Sequence, residues 1–392
     1  LEYEAGCLLS IELKAFLAGR RDFSKLFVPT PQTALVGTTA TRNHLILETL
    51  DNVRSRMSVL TWGDGGASGA PQPLAVPEFG ACSVMPVDPD HNDDYFLITT
   101  DFLTPTRLHL GTIGCGDSKI IKQLPAFFEP AGLTISQHQV QSKDGTSILY
   151  FQVARQNLTL DGRNPTLLYG YGGFEISLTP SYSASVGSAW LERGGVYVLA
   201  NIRGGGEFGP TWHQAALKEQ RQRAFDDFIA IAEDLIARKV TSAAHLGIQG
   251  GSNGGLLVGA VMTQRPDLFG AVVCQVPLLD MRRYHQLLAG ASWIGEYGDP
   301  DQPEEWAYIG RYSPYHQVRE GIAYPRTLFM TSTRDDRVHP GHARKMAAKM
   351  LAQGHDVLYY ENIEGGHGGA ANNEQQARMA TLAYAFLWAQ VA

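Results

Sequence analysis

Cysteine is scarce in this chain: Cys7, Cys82, Cys115 and Cys274 are its four thiols in 392 residues, too few and too scattered for a disulfide framework. That scarcity suggests a reducing compartment. No His/Cys spacing reads as a metal site, so neither a metal nor another cofactor is expected. Long apolar runs are lacking as well. None approaches the ~18 residues of a membrane-spanning helix, so no membrane partner is expected. Basic clusters are absent and the net charge is −7, which argues against nucleic acid as a partner. An initiator methionine is also lacking, since Leu1 stands first. The chain is therefore expected to be the C-terminal part of a longer protein, with the remaining N-terminal portion as a partner and any signal peptide upstream.

Glycine, by contrast, is abundant, with 42 residues, and its most informative cluster is Gly250-Gly251-Ser252-Asn253-Gly254-Gly255. The preceding His245 to Gln249 reads as a short buried strand and the following Leu256 to Met262 as a helix on a core. A G-x-S-x-G sequence between strand and helix predicts a nucleophile elbow, a turn too sharp for side chains at its flanks. Ser252 is thus the candidate nucleophile. The elbow also presents the backbone N–H of Asn253 as one donor to an oxyanion.

Such a serine needs a base, and the base an orienting carboxylate. In α/β-hydrolases these follow in the order Ser, Asp, His, each at the end of a later strand. Arg326 to Thr331 reads as a strand running into Asp335-Asp336-Arg337-Val338, and Val357 to Tyr360 as another leading into Gly365-Gly366-His367-Gly368-Gly369. His367, bracketed by glycine pairs, is the candidate base. Either Asp335 or Asp336 fits the carboxylate on sequence alone, and either could equally cap the helix predicted from Gly341 to Gln353. The chain lacks a His-Gly-Gly-Gly loop for a second oxyanion donor; Tyr171 stands at the end of the strand predicted over Thr166 to Tyr169.

These blocks, together with Leu168-Tyr169-Gly170-Tyr171-Gly172-Gly173-Phe174, Ala200-Asn201-Ile202-Arg203-Gly204-Gly205-Gly206-Glu207 and Arg265-Pro266-Asp267-Leu268-Phe269, resemble the prolyl oligopeptidase family of serine peptidases over nearly all of residues 126–392. The resemblance implies Asp335 as the triad carboxylate and the Tyr171 hydroxyl as the second oxyanion donor. It implies that Trp293 stacks on a substrate proline, that Phe174, Leu279, Tyr297 and Val338 complete the pocket, and that Arg337 hydrogen-bonds a substrate carbonyl. Short proline-containing peptides are then the expected substrates, cleaved after proline through an acyl-enzyme. Analogy also suggests a cytoplasmic location, with a periplasmic or secreted one left open.

A proline pocket should be apolar and free of groups seeking a backbone N–H, which proline lacks. A related branch of the superfamily cleaves after Arg or Lys and needs a carboxylate there; Glu296 is the acidic candidate. An Arg/Lys-specific oligopeptidase, an esterase, or a catalytically silent fragment serving as a scaffold are the alternatives.

Residues 1–125 read differently, as short alternating strands: His44 to Leu47, Met57 to Trp62, Tyr95 to Thr99 and Arg107 to Ile113. Segments ending on Pro29, Pro77 and Pro125 recur every 48 residues. Four short strands at such a period suggest β-propeller blades, at 31–77 and 78–125, with 1–30 as the tail of another. Two blades cannot close a propeller. Ala126 to Pro130 is the expected hinge. Beyond it, seven predicted strands (Ser147 to Val153, Thr166 to Tyr169, Val196 to Asn201, His245 to Gln249, Ala271 to Gln275, Arg326 to Met330, Val357 to Tyr360) alternate with helices. Residues 126–392 are thus expected to form an α/β-hydrolase domain: a doubly wound, largely parallel sheet with the triad along its C-terminal edge.

Overall fold

A computed structural model describes residues 2–63 and 66–392. The chain divides into two compact units. The first runs to Phe127 and includes Thr179–Ser183 and Gly206–Trp212; the second comprises Phe128–Leu178, Ala184–Gly205 and His213–Ala392. The two short inserts lie inside the stretch expected to belong wholly to the hydrolase domain. A reading that assigns domains as contiguous blocks cannot detect such exchanges.

The first unit opens with β1 (Leu8–Ser10) and β2 (Ser24–Phe27), an antiparallel pair joined through α1 (Leu13–Leu17). Two antiparallel four-stranded meanders follow, each of the form of a propeller blade: β3 (Thr33–Ala40), β4 (His44–Asp51), β5 (Arg54–Gly63) and β6 (Gly66–Leu74), then β7 (Ala81–Pro86), β8 (Asp94–Thr100), β9 (Arg107–Thr112) and β10 (Lys119–Gln123). Burial alternates along β8, as a strand with one face on a core requires. Ile46, Met57 and Val59 from one meander pack with Val84, Tyr95 and Leu97 from the other. The Asp93 carboxylate ties them further, accepting from Thr41 Oγ1 and the Asn43 backbone and side chain. The repeated prolines have a physical meaning here. Each falls just after an outermost strand, β2, β6 or β10, where a residue without an N–H cannot continue a ladder.

The second unit is built on an eight-stranded sheet in the order β11-β12-β14-β13-β15-β16-β17-β18. Its strands are β11 (Leu133–Gln141), β12 (Ser147–Arg155), β13 (Thr166–Tyr169), β14 (Val196–Asn201), β15 (Leu246–Gly251), β16 (Ala271–Gln275), β17 (Arg326–Ser332) and β18 (Val357–Asn362). The pairs β11–β12 and β12–β14 are antiparallel and the remaining pairs parallel. β15, β16 and β17 are buried almost end to end, as parallel strands covered on both faces must be. Helices α2 (Gln222–Ala237), α3 (Asn253–Gln264), α4 (Pro303–Tyr312), α5 (Gly341–Ala352) and α6 (Asn373–Val391) belong to this unit. The chain goes from β13 to β14 on one side and returns to β15 on the other, so the strand order reverses around β13. In open α/β sheets the crevice beyond the strand C-termini at such a reversal is where ligands bind.

Candidate active site

Four strand ends meet in that crevice. Ser252 follows β15 directly, at φ 59° and ψ −117°, outside the regions a non-glycine residue normally occupies. The glycines around it are sterically required. A Cβ on Gly250 would lie 2.2 Å from Gly254 O, and one on Gly254 would lie 2.7 Å from Gly170 O. This elbow holds Ser252 at the head of α3, where the Asn253 N–H is among the first amides and has no intrahelical acceptor.

His367, on the loop after β18, reaches across to the elbow. Ser252 Oγ lies 3.1 Å from its Nε2, while its Nδ1 lies 3.0 and 2.9 Å from the two oxygens of Asp335. A carboxylate only accepts hydrogen bonds, so Nδ1 carries the proton and Nε2 accepts from the serine hydroxyl. Asp335 is 4 % exposed, and its Oδ1 also accepts from the Arg337 and Val338 backbone N–H groups at 2.9 Å each. Asp336 is exposed. Between the two aspartates that the sequence left open, geometry puts Asp335 on the imidazole.

Tyr171 follows β13 and is half-buried. Burial pushes its phenol above its ordinary value, opposed by the nearby charges of Arg337 and Arg221 and by a hydrogen bond with Ser252. It therefore keeps its proton at neutral pH and is a donor beside the serine.

Phe174 and Trp293 are half-buried and lie edge to face, with centroids 6.5 Å apart. Phe174 meets Tyr297 in the same manner at 5.8 Å. Three expected pocket residues are buried. Leu279 and Tyr297 have 0 % of their surface exposed: Leu279 packs toward α3, where a Cβ on Gly259 would meet it, and the Tyr297 hydroxyl donates to Asn253 Oδ1 at 2.7 Å. Tyr297 thus touches Phe174 on one side and Asn253 on the other. Val338 is likewise buried, whereas Arg337 is exposed.

Glu296, the carboxylate that could have served a basic substrate, is 6 % exposed and fully engaged. Its Oε1 accepts from the Phe174 N–H and from Arg221 Nη1, both at 3.0 Å. Its Oε2 lies 2.8 Å from His213 Nε2. Burial alone would push its carboxyl pKa up; the bonds from His213 and Phe174 and the charge of Arg221 outweigh that and hold it below its ordinary value. Arg221 and His213 went unnoticed in the sequence because Lys218-Glu219-Gln220-Arg221 looks like any solvated helix start. Arg203 had a signal, its glycine-rich block, without an assigned role. It is buried, pairs with Asp227 and Asp144, and so fixes the loop against which Gly172 packs.

Among the described residues, His285, Asp299 and Asp301 could together hold a metal ion. They come together only through the fold, which is why residue spacing gave no hint of them. His285 Nε2 is already paired with Asp301 at 2.8 Å, and the Arg282 guanidinium stands 4.0 Å from that carboxylate.

The chain is similar to known proteins along most of its length. The chain is 51 % identical over 388 residues to an uncharacterized peptidase, y4nA, of Sinorhizobium fredii, covering 98 % of this chain and 53 % of the relative. It is 42 % identical over 280 residues to a prolyl endopeptidase of Elizabethkingia miricola, covering 70 % of this chain and 40 % of that one. A solved structure of a post-proline cleaving enzyme from Rickettsia typhi superposes with a TM-score of 0.93 at 35 % identity, over all of this chain and 57 % of the other. The chain thus spans about half the length of the curated relatives it matches. The profile of the prolyl oligopeptidase family matches residues 180–392, the stretch that holds Ser252, Asp335 and His367, and the chain belongs to that family.

Proposed function

We propose that this chain hydrolyses peptide bonds on the carboxyl side of proline. Ser252 Oγ attacks the carbonyl carbon as its proton passes to His367 Nε2, and Asp335 stabilises the imidazolium. The Asn253 N–H and the Tyr171 hydroxyl receive the oxyanion. His367 then returns the proton to the leaving amine, and water, activated by the same imidazole, releases the acyl group. Phe174 and Trp293 offer an apolar face to the proline ring, and the exposed Arg337 reaches a substrate carbonyl upstream.

One observation carries the choice of proline: the carboxylate beside the aromatic wall is already satisfied by Arg221, His213 and the Phe174 N–H. Glu296 thus offers a substrate Arg or Lys no free oxygen, and an unpaired buried cation is strongly disfavoured. The relatives named prolyl endopeptidase and post-proline cleaving enzyme support the same reading. Chromogenic peptides with Pro, Arg or Ala at the cleaved position, together with a short ester, test it. Proline should be preferred. Trp293→Ala should cost about 1–3 kcal/mol in kcat/KM for the proline peptide and much less for the ester, which leaves the pocket empty. A preference for Arg that Glu296→Gln removes would refute the reading.

A further inference from the structure

One buried ion pair touches both halves of the candidate site. Arg221 and Glu296 have side chains 1 % and 5 % exposed and lie 3.0 Å apart. On one side, Arg221 Nη2 donates to Asn253 Oδ1 at 2.5 Å, and Asn253 Nδ2 in turn donates to the Tyr171 carbonyl at 2.5 Å. Both residues that supply oxyanion donors are therefore held through the Asn253 side chain. On the other side, Glu296 accepts the backbone N–H of Phe174. Phe174 and Glu175 both sit at φ 56°, a conformation that L-residues adopt only when the surroundings impose it. The wall facing the substrate is thus kept in a strained shape by the same carboxylate that holds Arg221.

We infer that Arg221 and Glu296 are positioning residues that lock the oxyanion donors and the aromatic wall into one rigid unit, so that a disturbance at either end is felt at the other. The inference rests on the roles proposed above for Ser252, Tyr171 and Phe174. Stability alone accounts poorly for the pair. Apolar side chains of similar volume often replace buried ion pairs without loss, and here Arg221 Nε is buried with no hydrogen-bond partner among the described residues. The glycine backbone also approaches both side chains closely: a Cβ on Gly173 would lie 2.5 Å from Asn253 Nδ2, and one on Gly204 would lie 3.3 Å from Arg221 Nη1. Displacements of about 1 Å at such a site can cost on the order of a hundredfold in rate.

Glu296→Gln and Arg221→Lys test this, each compared with the wild type by thermal melt, by the rate of Ser252 modification with a small fluorophosphonate, and by kcat and KM for Pro and Ala peptides. Glu296 bonds the wall through the Phe174 N–H and reaches the elbow only through Arg221, yet Glu296→Gln should slow phosphonylation by roughly tenfold. Arg221 bonds the elbow through Asn253 and reaches the wall only through Glu296, yet Arg221→Lys should reduce the preference for Pro over Ala by roughly tenfold. The double variant should lose less than the product of the two, as residues acting through one device do. If each folded variant affects its own side alone, or leaves every rate within about twofold of wild type, the coupling is refuted. Should Arg221→Lys fail to fold, Tyr297→Phe, which removes the other donor to Asn253 Oδ1, replaces it with the same expectation. Wild-type protein that reacts with the phosphonate but cuts no proline peptide would overturn the substrate reading only. The coupling would then stand or fall on the phosphonylation rate of Glu296→Gln.

Discussion

Ser252 combines two properties that a single pair of substitutions separates: its hydroxyl chemistry and its strained backbone. Ser252→Ala keeps the backbone and should abolish fluorophosphonate labelling while lowering kcat by at least about a thousandfold. Tyr171→Phe keeps the nucleophile, so labelling should persist at a reduced rate. Its kcat should fall by roughly a hundredfold with KM little changed, because the phenol acts on charge that exists only in the transition state. A loss confined to KM would make Tyr171 a packing residue. At this scale, legibility followed steric necessity. The elbow could be read because Gly250 and Gly254 leave no space for a Cβ, and a requirement of that kind is written into residue identity. Arg221 carries no such mark, since an arginine ahead of a helix reads the same whether it is buried or solvated. Leu279 shows a different limit: its apolar character was evident, but the neighbours it packs against are set by the fold.

Among the elements, the strands that escaped sequence reading share one property. β3, β6, β7, β10 and β11 all lie at sheet edges. Edge strands pack on one side only and tolerate polar residues, as Leu133-Thr134-Ile135-Ser136-Gln137-His138-Gln139 illustrates, so their apolar signal is weak. The central parallel strands, buried on both faces, were plain. Helix α5 adds a consequence for pH. His342, at its second position, is 2 % exposed, and its Nδ1 accepts from the Leu279 and Asp280 backbone N–H groups at 3.2 and 3.0 Å. Burial above all, helped by the charges of Lys345 and His339 against those of Asp280 and Asp335, lowers its pKa from 6.5 to about 4. Between those values the unfolded chain binds the proton and the folded one does not. Stability present above pH 6.5 should therefore decline as the pH falls toward 4, by up to about 3 kcal/mol from this group. Urea midpoints measured across that window should fall less steeply for His342→Gln, which retains an acceptor. Parallel curves for the two proteins would remove His342 from the account.

At the scale of the whole molecule, the 48-residue proline period and the change from short alternating strands to alternating strands and helices outlined two bodies, but not how the chain is shared between them. The polypeptide passes from one unit to the other at five junctions, after Phe127, Leu178, Ser183, Gly205 and Trp212. Within the first unit, the inserts are bound to the leading segment: the Phe127 N–H donates to the Tyr182 hydroxyl at 2.7 Å, the Tyr182 N–H donates to Thr100 Oγ1 at 3.2 Å, and the Gly6 and Pro210 positions nearly touch. A protease site inserted after Phe127 would cut one junction and leave the inserts seated. The two fragments should co-elute under native conditions and separate in denaturant; separation on cutting alone would show that the inserts contribute little adhesion. The same sharing makes the chain a natural candidate for fragment complementation. Were the chain produced as two polypeptides, 1–127 and 128–392, the second would carry in Thr179–Ser183 and Gly206–Trp212 a pair of built-in docking peptides for the first, so that reassembly, and any activity that depends on it, could be switched on by mixing.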